Sequence, residues 1–277
     1  MYSQYWGLKE KPFENTPDPK FLFHSTQHDE AISRLFYAIR ERKPAAMLTG
    51  EYGAGKTLLS RVLMEELTKE RYKVALIFNP RMSPLEFLQE IAFQLGEDAV
   101  KNDSKRELVN QLGAILNNNF QRFKETVVVI DEAQAIEDLE VFEELRLLLN
   151  FQLNNAFLLT LVLLGQPELI RKISALPQFD QRIAIRYHLA HLNEEESRGY
   201  ILHRLNIAGA PKEKEIFSAE SLRLIYQTSA GIPRMINNIC DMCLLVGMGR
   251  KDSRVDLPVV TEVVKDLEER YTVAQKR

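Results

Sequence analysis

The sequence predicts an α/β domain built on a parallel sheet, followed by a smaller domain made only of helices. Three observations carry that prediction. The octapeptide Gly50-Glu51-Tyr52-Gly53-Ala54-Gly55-Lys56-Thr57 sits between an apolar run and a stretch of helical periodicity. Val127-Val128-Val129-Ile130 is an unbroken β-branched run that ends in Asp131-Glu132. From Asn193 onward strand patterns stop and helical patterns continue to the end. Strands alternating with helices imply a parallel sheet covered on both faces.

The bulk numbers narrow the function classes. The chain has 277 residues, 45% hydrophobic and 27% charged, with a net charge of −3. That is ordinary globular composition, and it gives no global electrostatic reason to expect a nucleic acid partner. The segment Met1 to Lys9 has no apolar core of signal-peptide length. The longest apolar stretch, Ala156 to Leu164, is about half of what a membrane span needs, and it contains Thr160. These features predict a cytoplasmic chain without a membrane span. The two cysteines, Cys240 and Cys243, have C-x-x-C spacing but no second pair. They fall within a helical pattern and are expected to be buried thiols.

In chain order, residues 1–30 hold Tyr5, Trp6, Phe13, Phe21 and Phe23 among Pro12, Pro17 and Pro19. Aromatics at that density need a surface to pack on, so this segment is expected to be an ordered arm. Asp29 to Arg40 places residues 32, 35, 36 and 39 on one helical stripe. Domains are predicted as 1–44 (arm and helix packed on the core), 45–192 (nucleotide domain) and 193–277 (helical domain). Strands are expected at Ala45–Leu48, Val74–Phe78, Val127–Ile130, Leu158–Leu164 and Ile183–Leu189. Ser83-Pro84-Leu85-Glu86 and Asn193-Glu194-Glu195-Glu196 carry the residues of helix caps.

The octapeptide reads G-x-x-x-x-G-K-T, and a strand before it with a helix after it is the context this motif needs. Its glycines let the backbone bring N–H groups, from Gly50 through Thr57 and Leu58, close to phosphate oxygens, aided by the positive end of the helix dipole. Lys56 would reach the outer phosphates, and the Thr57 hydroxyl would sit on magnesium. The alternative is a glycine turn with a chance lysine. Asp131, emerging beside this loop, would hold the same magnesium, while Glu132 would polarise an attacking water as general base. Gln134 is either a further site residue or an ordinary loop residue. Gln166, at the end of the fourth strand, is the candidate polar contact to the γ-phosphate or the water; a turn residue before a proline is its alternative. Arg182 and Arg186, four apart at the sheet edge, are candidates for an arginine supplied across a subunit boundary, Arg182 first. Either could instead be an ordinary salt-bridge residue. Arg234 follows Gly231-Ile232-Pro233 on the first turn of a helix, where a cation is unfavourable next to the dipole.

With these residues in place, the chain resembles the AAA+ ATPases. Within them it is similar to the group that includes general secretion pathway protein A and the pilus-biogenesis ATPases. The likeness lies in Tyr5-Trp6-Gly7-Leu8-Lys9-Glu10-Lys11-Pro12-Phe13, Thr16-Pro17-Asp18-Pro19, Phe21-Leu22-Phe23, Asp131-Glu132-Ala133-Gln134, Gly165-Gln166-Pro167-Glu168-Leu169 and Gln181-Arg182-Ile183 with Arg186-Tyr187 and Leu189. The resemblance implies sheet order 5-1-4-3-2, a helical lid, ATP/ADP and magnesium as ligands, Glu132 as base, Gln166 as sensor 1 and Arg234 as sensor 2. It also implies a ring or helical homo-oligomer, secretion or pilus proteins as partners, and an adenine pocket near Phe21 to His28. Longer members of the group continue into a membrane span and a periplasmic peptidoglycan-binding region, and neither occurs before Arg277. The same module resembles DNA-transposition regulators and origin-recognition proteins. A DNA-associated switch is therefore the alternative function, with Lys69, Arg71, Lys73, Lys101, Lys105 and Arg106 as its basic track. A scaffold that binds ATP without hydrolysing it, or a small-molecule kinase, fits the intact Glu132 and the helical domain less well.

Overall fold

The strands Ala45–Gly50 (β1), Tyr72–Ile77 (β2), Glu125–Ile130 (β3), Leu159–Gly165 (β4) and Ile183–Leu189 (β5) form one parallel sheet in the order β5-β1-β4-β3-β2. The computed structural model describes residues 2–96, 104–211 and 213–275. Every residue of β1, β3 and β4 is buried. Central parallel strands lose water on both faces, which is why they read as continuous apolar runs. The edge strand β5 buries only Ile183 and Leu189 fully.

Contacts divide the chain into two units. One contains Thr26–Tyr52 and Lys56–Leu189; the other contains residues up to Ser25, Gly53–Gly55, and residues from Ala190 on. In the first unit, alternate strand residues face opposite sides. Met47, Val128, Ile130, Leu161 and Leu163 share one core with Phe87 and Ile91 of helix Pro84–Gln94, Leu112 of Lys105–Gln121, and Phe142 of Glu140–Leu148. Their strand neighbours Ala46, Leu48, Val127, Val129 and Val162 are also buried, and helices Thr26–Arg40 and Lys56–Leu67 touch the strands. Both expected capping boxes form. Ser83 and Glu86 exchange side-chain-to-backbone hydrogen bonds, as do Asn193 and Glu196.

The second unit packs helices Glu194–Ile207, Ala219–Ser229, Pro233–Arg250 and Leu257–Gln275. The aromatic arm belongs here, which corrects the expectation that residues 1–44 pack together on the sheet domain; the division falls after Ser25. The cause is specific anchoring. The Trp6 indole is fully buried and donates to the Leu244 carbonyl at 2.9 Å. The buried Arg204 guanidinium donates to the carbonyls of Pro12 (2.5 Å) and Glu14 (2.9 Å) and to the Tyr200 hydroxyl (2.7 Å). Phe21 lies under Arg204, and Phe23 stands edge-on to Tyr200.

Short elements not foreseen include helices Tyr2–Trp6 and Pro177–Asp180, and a hairpin pairing Gln152–Leu153 with Ala156–Phe157. Segments this short have no intrinsic stability and form only where tertiary contacts hold them. No helix of the described residues is long and apolar enough to cross a membrane.

Cys240 and Cys243 are free and buried. Burial pushes the Cys240 thiol well up and the Cys243 thiol to about 12. Only the thiolate reacts, and its fraction falls as the pKa rises above ambient pH. Native protein at pH 8 is therefore expected to resist a thiol-disulfide reagent such as DTNB, while guanidinium-unfolded protein releases both equivalents at once. Rapid native labelling would mean that the helical unit opens locally.

Candidate functional site

β4 lies between β1 and β3, so the carboxyl ends of all three strands meet at one edge of the sheet. Gly50 ends β1, Asp131-Glu132 follow β3, and Gly165 ends β4 with Gln166 next to it. In open α/β sheets this carboxyl edge is where ligands bind. Lys56 opens the helix after the loop and is only 4% exposed; its Nζ donates to the carbonyls of Gly50 (2.8 Å) and Glu51 (2.9 Å). A buried ammonium needs such partners, and here the loop itself supplies them.

Asp131 is 2% exposed and hydrogen-bonds through its carboxyl to the Thr57 side chain and to the Glu132 N–H at 2.9 Å. Burial raises its pKa above the ordinary aspartate range. The Thr57 and Glu132 hydrogen bonds and the Lys56 charge pull the other way without cancelling that effect. An acid this dry favours a cation beside it.

Glu132 holds a left-handed backbone, φ 52° and ψ 37°. For a residue with a Cβ this costs about 1–3 kcal/mol and persists only where the surroundings enforce it. Its carboxylate Oε2 accepts a short hydrogen bond from Gln134 Nε2 and a longer one, 3.4 Å, from Gln166 Nε2. Gln134 Oε1 accepts the Gln166 backbone N–H at 3.0 Å. Lys172 Nζ donates to the carbonyls of Gln134 and Ile136, both at 2.6 Å. Gln134 thus stands with Glu132 and Gln166. Lys172 had no motif to reveal it; it arrives from the helix Glu168–Ser174 through tertiary packing.

The middle of the loop, Gly53–Gly55, clusters with the helical unit. Gly53 and Gly55 have φ of +83° and +103°, values that favour glycine. The Gly53 carbonyl accepts the Arg234 backbone N–H at 3.3 Å, and a Cβ on Gly53 would stand 2.7 Å from the Arg234 Cβ. Tyr52 is 61% exposed.

Arg182 donates to the Asn150 side chain at 3.0 Å, a neutral partner. Arg186 is held by its own chain, with Nη2 at 2.8 Å from both the Asp180 carboxylate and the Asp180 carbonyl. Of the basic track, Lys69, Arg71 and Lys105 are ion-paired with Glu66, Glu125 and Glu144. Lys101 lies outside the described residues.

A family model described as an AAA domain matches residues 39–173. Residues 39–173 are an AAA domain. The match takes in β1, the glycine loop, the Asp131-Glu132 strand end and Gln166. The likeness extends beyond the AAA domain on both sides. The chain is 38% identical to general secretion pathway protein A of Aeromonas hydrophila over 92% of its own length. It spans about half of that relative, 46%. Among solved structures it is similar to the ORC2 protein of Aeropyrum pernix with ADPNP and ADP (TM-score 0.68, 18% identity, 93% of this chain and 71% of that one). It is equally similar to the Aeropyrum pernix ORC1 protein in complex with DNA (TM-score 0.68, 17% identity, 94% and 70%). At these identities the structural neighbours speak for the fold of the AAA domain and its helical companion.

Proposed function

We propose that this protein is a magnesium-dependent ATPase whose ATP cycle drives assembly or remodelling of an envelope machine of the secretion or pilus type. The observation that carries the reading is the group formed by Lys56, Thr57, Asp131 and Glu132 at one sheet edge. The donor set fits a magnesium nucleotide. The Thr57 hydroxyl and Asp131 carboxyl already meet, and oxygen ligands of this kind suit a hard cation that keeps some of its water. Lys56 donates to the loop carbonyls of Gly50 and Glu51, and a phosphate oxygen would compete for the same ammonium. When bound, magnesium-ATP supplies the phosphoanhydride that is cleaved. Lys56 and the loop amides from Gly50 to Leu58, including those of Glu51, Tyr52 and Ala54, bind and orient it. Glu132 takes the proton of the attacking water, and Gln166 places that water.

On this reading residues 45–192 form the nucleotide-binding domain and 193–277 the helical domain, where Arg234 reports the phosphate state. Arg182 is the arginine offered to a neighbouring subunit, since Arg186 is already committed to Asp180. An arginine acting in trans is worth about 10³–10⁵ in rate. Arg182→Ala and Glu132→Gln are each expected to be inactive alone, and mixing them should restore part of the activity by pairing an intact base with an intact arginine. Mixtures that stay inactive would remove the trans assignment. Light scattering with ADP and with a non-hydrolysable ATP analogue tests the assembly itself, which should grow only with the ATP analogue.

The DNA-associated switch remains the second reading, motivated by the likeness of fold to a protein solved with DNA. The ion pairing of Lys69, Arg71 and Lys105 weakens its basic track. Growth of the scattering mass only when a short duplex is added, lost as salt rises, would favour it over the envelope reading.

A further inference from the structure

We infer that Gln134 is a positioning residue that orients Glu132 and ties it to Gln166, forming a two-amide clamp behind the candidate base. This rests on the proposed role of Glu132 as base. The side-chain amide of Gln134 cannot be flipped without loss. Its Oε1 accepts the backbone N–H of Gln166, which can only donate, so Nε2 must face Glu132. Space for that arrangement comes from Gly165, where a Cβ would lie 2.9 Å from Gln134 Oε1 and 2.8 Å from Leu169 Cδ2. The main chain of Gln134 is pinned separately by Lys172. Gln134 Nε2 is therefore a fixed donor.

Both amides land on the same carboxylate oxygen, Oε2 of Glu132. No hydrogen bond among the described residues uses Oε1. A general base needs one oxygen aimed at the water and the other held. Gln134 does the holding. The Gln166 bond to Glu132, at 3.4 Å, is long enough to be given up. Gln166 can then turn its amide toward a phosphate while Gln134 keeps the carboxylate in place. The left-handed backbone of Glu132 points to the same end, because a strained residue needs a neighbour that fixes it.

The test is single-turnover hydrolysis with enzyme in excess over ATP, in four proteins: the parent chain, Gln134→Met, Glu132→Asp and the double variant. Methionine keeps the length of glutamine without its hydrogen bonds. Aspartate keeps a carboxylate too short to meet the Gln134 donor. Gln134→Met is expected to slow hydrolysis about 10-fold, with affinity for N-methylanthraniloyl-ADP within about two-fold of the parent. In the Glu132→Asp background the same change should cost clearly less than in the parent, because the Gln134–Glu132 contact is already lost and only the bond to the Gln166 N–H remains to be removed. Gly165→Ala, which crowds the same amide, should reproduce the slow rate with unchanged nucleotide affinity. The proposal is overturned if Gln134→Met hydrolyses at the parent rate, if the two effects multiply, or if nucleotide affinity falls in step with rate. Undiminished turnover in Glu132→Gln would instead sink the base assignment itself, whatever Gln134 does.

Discussion

Glu132→Gln is expected to lower ATP turnover by about 10²–10⁴-fold, the usual worth of a positioned general base, while nucleotide still binds. The expectation follows from geometry. Glu132 stands one residue beyond Asp131 at the carboxyl edge of β3, on a backbone conformation that costs energy to hold. Glutamine preserves the size of the side chain and can still accept from the neighbouring amides through its oxygen, so the local packing survives. What it lacks is a basic oxygen for the water proton. Lys56 and Thr57, which would grip phosphate and magnesium, are untouched, so the loss should fall on kcat and not on affinity. Steady-state hydrolysis beside titration of a fluorescent ADP separates the two. Equal losses in both would reassign Glu132 to binding.

Gly231→Ala should be the most damaging small substitution in the helical unit. Gly231 has φ +75°, and a Cβ there would lie 1.9 Å from the Leu192 carbonyl oxygen and 2.9 Å from its carbon. Leu192 in turn donates its N–H to the Gly231 carbonyl at 3.0 Å, so the two backbones are locked in register. No side-chain rotation relieves a clash between backbones. A loss of about 3 kcal/mol or more is expected, seen as a Tm about 10 °C lower for a chain of this size. Gly249→Ala is the control: nothing stands within 4 Å of its Cβ, it lies inside helix Pro233–Arg250, and alanine there should be neutral or slightly stabilising. If both variants melt alike, the turn at Gly231 is not the constraint. Because the Arg234 N–H bonds to Gly53 three residues after this turn, Gly231→Ala should weaken nucleotide binding as well.

The candidate-site edge of the sheet was legible because its signals are local. Gly50 to Thr57 declare a loop whose backbone must turn at Gly53 and Gly55, and both carry the positive φ that only glycine takes easily. The β-branched run before Asp131 forecasts a strand buried on both faces, and it is buried on both faces. The caps at Ser83 and Asn193 were readable for the same reason: each is a bargain between residues three apart. Gln134 was harder. Its neighbours in sequence fit a loop residue as well as a site residue, and only the fold brings it against Gly165 and Gln166 from another part of the chain.

By itself, then, the sequence determined the five strands, most of the helices, the resemblance to the AAA+ ATPases and the candidate residues Lys56, Thr57, Asp131 and Glu132. Periodicity, glycine positions and caps are properties of a few consecutive residues, so they survive without coordinates. The tertiary structure alone decided that the arm up to Ser25 joins the helical unit, that Arg186 is bound to Asp180 while Arg182 meets the neutral amide of Asn150, and that Lys172 braces the loop after Glu132. Each of these depends on groups brought together from distant parts of the chain. A buried Trp6 or Arg204 binds wherever its hydrogen bonds and apolar surface are satisfied, and no local pattern in the sequence says where that will be.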